Sequence, residues 1–535
     1  MNNKTSLLRY FLIILVLSAG IACAVAHWSD GTFLPGFRLA FFICLPFLGL
    51  SILAWKWGGK GKTLAVMMFL AFAVRMGFGL ATVNLLPIYG HTNERREQKG
   101  FLFDDAWRRD AEAWAIVTEE DISFIDSLTR DYHNDQYGGL TAMSVWLYKY
   151  FSPDARRYTM IMLIGSFFAA LGVPFLWRGL SGRWGRRIGL IGCWTYVFYP
   201  DSIFFAGAPM REPFLNGILC AAFWALSTFR DHKMKSIDVL VCCAVASVPF
   251  SSMVSLVIGA VTALWIWAEL LIPQSRKWLW AGIVLMGVCF IVGMILGLSS
   301  FREWIHYDVF TTENTSGWVE KVVGEIGGQF RSLFLAVYGL TQPVLPAILV
   351  YPTAPACDLA HGPCTTIYWK VAGIFRAAGW YIMVPFLFYA IFSTFRIKDK
   401  RERTLMVVNA LFVVAWLLIS SLRAGGDQID NPRYRVIFLP WLAFMSAWGI
   451  DYAIKFRDWW LVRWIAIEMI FLGFFTQWYY SRYSGDAIRR YPFWKTVTYI
   501  VICSALVFAT GLIGPIREKI RNQEQNKKSE IRNKK

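Results

Sequence analysis

The stretch TLAVMMFLAFAVRMGFGLATVNLLPIY (residues 63–89) decides how the rest of the chain is interpreted. Its only charged residue is Arg75, and it directly follows the basic segment KWGGKGK at residues 56–62. A helix needs about 20 mostly apolar residues to cross the hydrocarbon core of a bilayer. Residues 63–89 therefore predict a transmembrane helix whose basic start lies on the cytoplasmic side, where loops rich in Lys and Arg are retained.

Apolar runs of this kind recur along the whole chain. Of its 535 residues, 56% are hydrophobic and only 17% are charged, and the mean hydropathy is +0.44. This composition excludes a soluble globular protein, and an aromatic content of 17% excludes a disordered one. The runs are continuous and do not alternate with period 2, which argues against a transmembrane β-barrel. We predict an all-α polytopic membrane protein with about 13–14 transmembrane helices.

The order of the basic loops predicts the topology. Lys and Arg lie mainly between the apolar runs, so positive-inside sorting accounts for the net charge of +18 without a nucleic-acid partner. The first run, residues 10–26, has the features of a cleaved signal peptide, but retaining it as a helix keeps the basic loops on one side. The N-terminus then lies inside, residues 1–515 form one membrane domain, and residues 516–535 form a basic, disordered cytoplasmic tail.

Two large loops are predicted outside the cytoplasm, at about residues 90–157 and 299–366. The first loop carries predicted interfacial helices and almost all of the acidic residues outside the cytoplasm. The second contains an apolar piece at residues 332–350 that is interrupted by two prolines, which predicts a re-entrant or interfacial segment; the alternative is an extra span. It also contains Cys357 and Cys364, which a disulfide would join only in an oxidising compartment.

The first loop contains the segment FDDAWRRDAEAWA, in which Asp104 and Asp105 are adjacent. Several alanines follow, so the two aspartates are predicted at the N-terminus of a helix, where the helix dipole favours carboxylates. One interpretation is an amphipathic surface helix in which Asp104, Arg108 and Glu112 form an i, i+4 ladder of charges. The other is a catalytic base held at the membrane interface.

A second polar group lies in YPDSIFFAGAPMREPF (residues 199–214), a short outer loop between two long apolar runs. Arg211 and Glu212 are close to hydrocarbon there, which is costly unless the two residues are paired or functional. They are therefore either an Arg–Glu pair at the membrane interface or a functional carboxylate beside a cation. Asp201 follows a proline, where it would cap the next helical segment.

A third polar group lies in RAGGDQIDNPRYRVIFLP (residues 423–440), which is again outside by the predicted topology. It contains Arg433, Tyr434 and Arg435. Guanidinium groups fit phosphate oxygens, and a helix that starts near Pro432 would add the field of its N-terminus. Simple anchoring of a span at the interface is the alternative. Arginines on the outer side run against the positive-inside rule, which favours a function such as binding an anionic lipid head group.

Taken in order, the three segments resemble the membrane-embedded GT-C glycosyltransferases, specifically the protein-mannosyltransferase and aminoarabinose-transferase type. The resemblance spans roughly residues 1–450 and is strongest over residues 103–229. Members of this family take a sugar from a polyprenyl-phosphate or dolichyl-phosphate carrier outside the cytoplasm. The resemblance therefore implies an all-helical membrane fold and a lipid-linked sugar donor.

The resemblance also implies roles for single residues. One aspartate of the first loop would be the general base that deprotonates the acceptor hydroxyl, and the other would orient that hydroxyl or help to hold a metal. The second polar loop of the family matches Arg211 and Glu212, and its late Arg-Tyr segment matches the arginines that would bind the carrier phosphate. The predicted site residues are Asp104, Asp105 and Glu212 for catalysis and Arg211, Arg433, Tyr434 and Arg435 for binding of the donor phosphate.

The resulting hypothesis is an inverting glycosyltransferase of a bacterial inner membrane, with its active site on the outer face. Its partners would be a polyprenyl-phosphate-sugar donor, a lipid, glycan or protein acceptor, and membrane lipids. No HExxH or CxxC spacing marks a metal site, so a divalent cation stays an unassigned cofactor. One alternative is a lipid-linked polysaccharide polymerase or ligase, which would not need the early Asp-Asp pair. Another is a transporter or flippase, which would have ionisable residues and broken helices at the bilayer midplane.

Overall fold

A computed structural model describes residues 2–91, 93–272, 274–275, 277–285, 288, 317–353, 365–424, 427–483 and 491–511. The secondary structure of these residues is helical and includes no strand, although an isolated bridge joins Thr353 and Thr365. The predicted fold class, an all-α polytopic membrane protein, is confirmed.

The helices are numbered here in chain order. The N-terminal part of the chain forms α1 (Asn2–His27), α2 (Phe33–Trp57), α3 (Lys62–Tyr89), α4 (Arg95–Gln98), α5 (Asp104–Glu119), α6 (Phe124–Thr129), α7 (Gly139–Phe151), α8 (Thr159–Trp184), α9 (Arg186–Phe198), α10 (Pro200–Ala206), α11 (Glu212–Ser227), α12 (Lys233–Ser247) and α13 (Ser252–Ile266, continued by a π-helical turn at Trp267–Leu271). After the helical residues 277–285, the described helices are α14 (Gly317–Ile326), α15 (Arg331–Leu340), α16 (Leu345–Val350), α17 (Ile367–Thr394), α18 (Lys400–Arg423), α19 (Asp430–Ile437), α20 (Leu439–Phe456), α21 (Trp460–Tyr483) and α22 (Phe493–Gly511).

Nine of the described helices are long and apolar enough to cross a membrane, and the pair α19–α20, bent by 76°, brings the number to ten. The sequence predicts a larger number, about 13–14. The helices α9, α11 and α12 lie in apolar runs but have only 13, 16 and 15 residues. Apolar runs therefore overestimate the length of helices that end early at a proline or a polar turn. A further apolar run, at residues 278–298, lies mostly outside the described residues.

The apolar run at residues 188–206 is not one continuous helix but is divided between α9 and α10. Pro200 starts α10, and its missing N–H and bulky ring separate α10 from α9. The break leaves carbonyl groups at the end of α9 without helical partners. The fully buried Arg75 donates to two of them, Tyr196 O at 3.0 Å and Val197 O at 3.3 Å, and to Ser202 Oγ at 2.8 Å. Arg75, the only charged residue of the stretch at residues 63–89, thus stabilises the break between α9 and α10.

The centre of the bundle is α8, which packs against α3, α9 and α11. Small residues let α8 and α11 approach each other closely. A Cβ atom on Gly217 of α11 would lie 2.4 Å from the carbonyl oxygen of Phe168 on α8, so only glycine fits there. Close approach through small residues is typical of helix packing in membranes, where van der Waals contact replaces the hydrophobic driving force. This tight pair fixes the position of Glu212, the first residue of α11.

The loops of the bundle meet on two opposite faces. On one, Arg183 Nη2 contacts Glu269 Oε1 at 2.8 Å, and Arg401 Nη2 contacts the carbonyl oxygen of Glu269 at 3.1 Å. We call this the basic face. On the other, which we call the cluster face, Arg433 contacts Asp105 across 328 residues of chain. The predicted topology assigns the basic face to the cytoplasm.

The apolar piece at residues 332–350 forms two short helices, α15 and α16, joined by a break at residues 341–344. Both sides of this segment are tied to residues of the cluster face. Before it, Glu325 Oε2 accepts from Trp494 Nε1 at 3.2 Å, and after it, Lys370 Nζ donates to the carbonyl oxygen of Tyr351 at 2.9 Å. Ends on one face are what a re-entrant or interfacial segment predicts, whereas an extra span predicts ends on opposite faces. The pair Cys357 and Cys364 and the tail at residues 516–535 lie outside the described residues.

Single cysteines test this topology in a background without other cysteines. We expect a membrane-impermeant maleimide to label Asp126→Cys, Glu325→Cys and Pro352→Cys in intact cells, because these exposed residues lie on the cluster face. Lys398→Cys on the basic face should react only after permeabilisation. Labelling of positions 325 and 352 from opposite sides would show that the segment spans the membrane. Labelling of position 398 in intact cells would show that the orientation in the membrane is the reverse of the predicted one.

Candidate functional site

The two adjacent aspartates begin a helix, as the alanine-rich sequence predicts. The first residue of α5 is Asp104, and its first turn contains both Asp104 and Asp105. Arg108 Nε lies 2.9 Å from Asp104 Oδ2, and Arg108 Nη2 lies 3.1 Å from Asp105 Oδ1. All three side chains are about half exposed, with 55% for Asp104 and 44% for Asp105. The start of α5 therefore presents carboxylates at the surface of the bundle.

The rest of α5 is held against the bundle by two further carboxylates. Asp110 is buried and accepts hydrogen bonds from the hydroxyl of Tyr148 and from Arg156 Nε. Burial raises the pKa of Asp110, and Arg156 and the Tyr148 hydroxyl act in the opposite direction. Glu112 accepts the backbone N–H groups of residues 133–134 at 2.8 and 2.9 Å. The predicted ladder of charges therefore does not extend to Glu112, whose carboxylate fixes a neighbouring loop.

The guanidinium group of Arg433 connects the three polar segments of the sequence. Its Nε donates to Glu212 Oε1 at 2.8 Å, and its Nη1 donates to Asp105 Oδ2 at 3.0 Å. Asp430, one helical turn before it, lies 3.6 Å from the same Nη1. The side chain of Arg433 is only 9% exposed and that of Glu212 is fully buried. Such a buried ion is stable only when it is paired and hydrogen-bonded.

Two further arginines lie beside this bridge. Arg211 Nε is 4.0 Å from Glu212 Oε1, and Arg211 Nη1 donates to the carbonyl oxygen of Phe250 at 3.4 Å. The buried Arg109 donates to Met210 Sδ at 3.1 Å. Within the described part of the chain, the Nε atoms of both arginines and Oε2 of Glu212 are buried without a hydrogen-bond partner. Unused polar atoms of this kind suit a polar ligand or water. We call the following residues the acid–arginine cluster: Asp105, Arg109, Arg211, Glu212, Asp430 and Arg433.

The charges of the cluster determine the protonation state of Asp105. Partial burial would raise the pKa of its carboxyl group, but Arg433, followed by Arg109 and Arg108, lowers it below the usual value. Asp105 is therefore a carboxylate at neutral pH, and its lowered pKa makes it a weak proton acceptor.

A second cluster lies behind the first and is built on Asp201. Its Oδ1 accepts from Arg376 Nε at 2.8 Å, and its Oδ2 accepts from Arg435 Nη2 at 3.4 Å and from the Tyr199 hydroxyl at 3.2 Å. Asp201, Arg376 and Arg435 are all buried. The prediction that Asp201 caps a helix is wrong, because its carboxylate is the counter-ion of two arginines. One carboxylate and two guanidinium groups leave this second cluster, which we call the Asp201 cluster, with an excess of positive charge.

The three consecutive residues assigned to the donor phosphate point in different directions. In α19, residues two positions apart lie on different sides of the helix, so Arg433 joins the acid–arginine cluster and Arg435 joins the Asp201 cluster. The ring of Tyr434 lies 4.5 Å from the guanidinium carbon of Arg423. One phosphate group therefore does not contact all three side chains in this arrangement.

Four residues of the two clusters are absent from the sequence-based assignment: Asp201, which is expected only as a helix cap, and Arg109, Asp430 and Arg376. Arg109 lies four residues after Asp105, on the same side of α5, and this spacing is a signal that the sequence offers. Asp430 lies three residues before Arg433, which is the same kind of signal. Arg376 is a buried arginine within the otherwise apolar helix α17, and an ionisable residue in a span is itself a functional hint.

The described residues contain no group of three His, Cys, Asp or Glu side chains that could hold a metal ion. The carboxylates of the cluster face arginines, and a guanidinium group competes with a cation for the same oxygens. These residues do not fit a divalent metal in this arrangement.

Comparison with known proteins adds no family assignment. The chain matches no sequence profile of a protein family, and no curated protein is significantly similar to it.

Neutralising single carboxylates tests the structural role of the bridge. We expect Glu212→Gln to lower the free energy of unfolding by about 3–5 kcal/mol, because it leaves the buried Arg433 without its closest partner. Asp105→Asn should cost about 1 kcal/mol or less, because the carboxylate is half exposed. Asp121→Asn, which removes the fully exposed carboxylate from an ion pair with Lys149, is the control and should have little effect. Denaturant unfolding in detergent measures all three.

The effect of Asp105→Asn should also depend on pH. Because its pKa is lowered in the folded protein, the Asp105 carboxylate stabilises the fold above the unfolded-state pKa of about 3.9, and this stabilisation is lost as the pH falls through the lowered pKa. Wild type and variant should therefore differ at pH 7 and converge in strong acid. If Glu212→Gln and wild type had the same free energy of unfolding at pH 7, the ion pair between Arg433 and Glu212 would not have the stabilising role given to it here.

Proposed function

We propose that the protein transfers a sugar from a polyprenyl-phosphate carrier to an acceptor hydroxyl, with inversion at the anomeric carbon. The observation that carries this proposal is the bridge from Arg433 to Asp105 and Glu212. It brings the acidic loop and the arginine-rich segment, which the resemblance to GT-C glycosyltransferases pairs in one site, into direct contact. In this proposal the membrane is a bacterial inner membrane, and the cluster face is its outer face.

The reaction needs few chemical groups because a sugar phosphodiester already has a good leaving group. The acceptor oxygen bonds to the anomeric carbon while the bond from that carbon to the phosphate oxygen breaks. The hydroxyl proton goes to a carboxylate, and the electron pair leaves with the phosphate. The protein must therefore supply proximity, a base and cations beside the leaving phosphate.

The contacts of the two aspartates support different roles. Asp105 binds Arg433 with one oxygen and Arg108 with the other, and its pKa is lowered. Asp104 contacts only Arg108 among the described residues and is more exposed. We therefore assign Asp104 as the base that accepts the hydroxyl proton and Asp105 as the residue that positions the start of α5. Glu212 then holds Arg433 in place.

The arginines support a revised assignment of the phosphate ligands. Arg433 is already bonded to two carboxylates, so its role in this proposal is to position them. Among the described residues, the carboxylate at ion-pair distance from Arg211 is that of Glu212, at 4.0 Å, and Arg435 shares a single carboxylate with Arg376. Arg211 and Arg435 therefore have the charge available to bind a phosphate. The donor would lie between the two clusters, with the acceptor on the side of Asp104.

Turnover by the purified protein tests the proposal. The protein is incubated with a panel of polyprenyl-phosphate sugars and candidate acceptors, and released polyprenyl phosphate is measured. We expect Asp104→Asn to lower turnover by about 10²- to 10⁴-fold, the usual contribution of general-base catalysis. Asp105→Asn should have a smaller effect, and the exposed Asp121→Asn should match wild type. The product should have the anomeric configuration opposite to that of the donor.

Each alternative predicts a different result. A transporter or flippase would consume no donor with any acceptor in the panel. A polymerase or ligase would transfer whole lipid-linked glycans and not single sugars. If Asp104→Asn kept the melting temperature and the full turnover of wild type, Asp104 would not be the base.

A further inference from the structure

The basic face contains a cavity that the proposed reaction does not use. It has a volume of about 490 Å³ and lies where the ends of α17, α20, α21 and α22 meet. Its polar lining includes Arg396, Arg457 and Arg463, with Asp458 as the acidic residue. A volume of this size fits a small ligand or a lipid head group.

Among the described residues that line the cavity, the one carboxylate is that of Asp458, and it is already neutralised. Asp458 Oδ2 accepts from Arg396 Nη1 at 2.5 Å and from the Tyr389 hydroxyl at 2.9 Å. Its Oδ1 accepts the backbone N–H of Trp460 at 3.0 Å, at the start of α21. Asp458 therefore stabilises the wall of the cavity and leaves Arg457 and Arg463 without a counter-charge from it.

These two arginines retain positive charge that faces the cavity. Within the described part of the chain, neither has a carboxylate at ion-pair distance, and no side-chain hydrogen bond of Arg457 is found. Arg463 Nε donates to Thr510 Oγ1 at 3.1 Å, and its guanidinium carbon lies 5.1 Å from the centre of the Trp460 ring. A guanidinium group fixed in this way is suited to a phosphate oxygen.

The surroundings of the cavity are those of a membrane interface. Beside it, Phe456 is 59% and Trp459 is 70% exposed, and large aromatic side chains are enriched at the level of lipid head groups. Below it, α21 and α22 pack through Trp460 and Phe508, with ring centres 4.8 Å apart. Exposed apolar residues on both helices, such as Val462 and Leu506, offer a surface for acyl chains.

We propose that this cavity binds the phosphodiester head group of an anionic glycerophospholipid of the leaflet on the basic face. Arg457 and Arg463 contact the phosphate, and the acyl chains lie along α21 and α22. Basic pockets between helices on the cytoplasmic side are suited to acidic lipid head groups. The chain that follows α22, residues 512–535, contains eight Lys and Arg against three Glu, so its own charge favours an anionic occupant and not its own insertion.

Native mass spectrometry of the delipidated, full-length protein tests this site with phosphatidylglycerol as the probe. We expect one tightly bound copy of phosphatidylglycerol and binding of phosphatidylcholine that is at least about 10-fold weaker, because only the former has a net negative charge. Arg457→Asn and Arg463→Gln should each weaken phosphatidylglycerol binding by about 10-fold. Arg178→Gln is the matched control, because Arg178 also lies on the basic face against a tryptophan, Trp57, but outside the cavity.

Further measurements decide between the sources of the phosphate. Arg457 has a left-handed backbone with φ +49°, which asparagine tolerates, so Arg457→Asn should melt as wild type does without lipid. Equal binding of the two lipids, or binding unchanged in both variants, would overturn the proposal. Displacement of the lipid by glycerol 3-phosphate at the same concentration would also overturn it, since a soluble phosphate would then be the ligand. The readout is binding, so the result does not depend on whether the protein transfers sugars.

Discussion

The structure depends on the need to neutralise one buried guanidinium group. Arg433 lies between helices, where an unpaired charge would cost several kcal/mol of folding free energy. Its partners, Asp105 and Glu212, are each in the first turn of a helix, where the helix dipole also favours a carboxylate. The two carboxylates can reach Arg433 only if α5, α11 and α19 meet. A local electrostatic requirement thus fixes the arrangement of one whole face of the bundle.

The same residue type also makes irregular backbone tolerable inside the bundle. A break in a helix exposes carbonyl groups that no water can satisfy in an apolar environment. Arg75 donates to two such carbonyls at the end of α9, Arg435 Nη1 donates to Gln342 O in the break between α15 and α16, and Arg376 Nη2 donates to Gln428 O before α19. Each of these arginines is buried in the bundle and lies where the backbone leaves the helical path. Three charges that are costly in an apolar run are therefore explained by the interruption of neighbouring helices.

The features that could be predicted from the sequence are those that depend on interactions between residues close together in the chain. The start of α5 at Asp104 was predictable because alanine content and helix dipole act within one turn. The division of residues 332–350 into two short helices was predictable because two prolines interrupt the run. The division of residues 188–206 into two helices is not visible in the hydropathy of the run, which does not register Pro200.

Which side chains pair in the candidate site was harder to predict from the sequence. Each polar segment was recognised, but Arg433 and Asp105 are 328 residues apart, and no local pattern reports which carboxylate meets which arginine. For the same reason Asp201 was interpreted as a local cap and not as the counter-ion of Arg376, 175 residues away. Arg109 is an exception, because it lies only four residues after Asp105 and this spacing can be read directly from the sequence. Local spacing thus predicts the helices that hold the candidate site. The site itself is formed by ion pairs between residues that are far apart in the chain.

The two adjacent aspartates illustrate how little sequence distance is needed for different roles. Consecutive residues of a helix point about 100° apart, so Asp104 and Asp105 cannot share the same surroundings. Asp105 points towards Arg433 and loses basicity, whereas Asp104 points away and keeps one exposed partner, Arg108. A residue cannot both anchor a buried arginine and accept protons efficiently, because the charge that holds it also stabilises its ionised form. In the proposed reaction, the two carboxylates at the start of α5 meet both needs, with Asp105 as the anchor of Arg433 and Asp104 as the base.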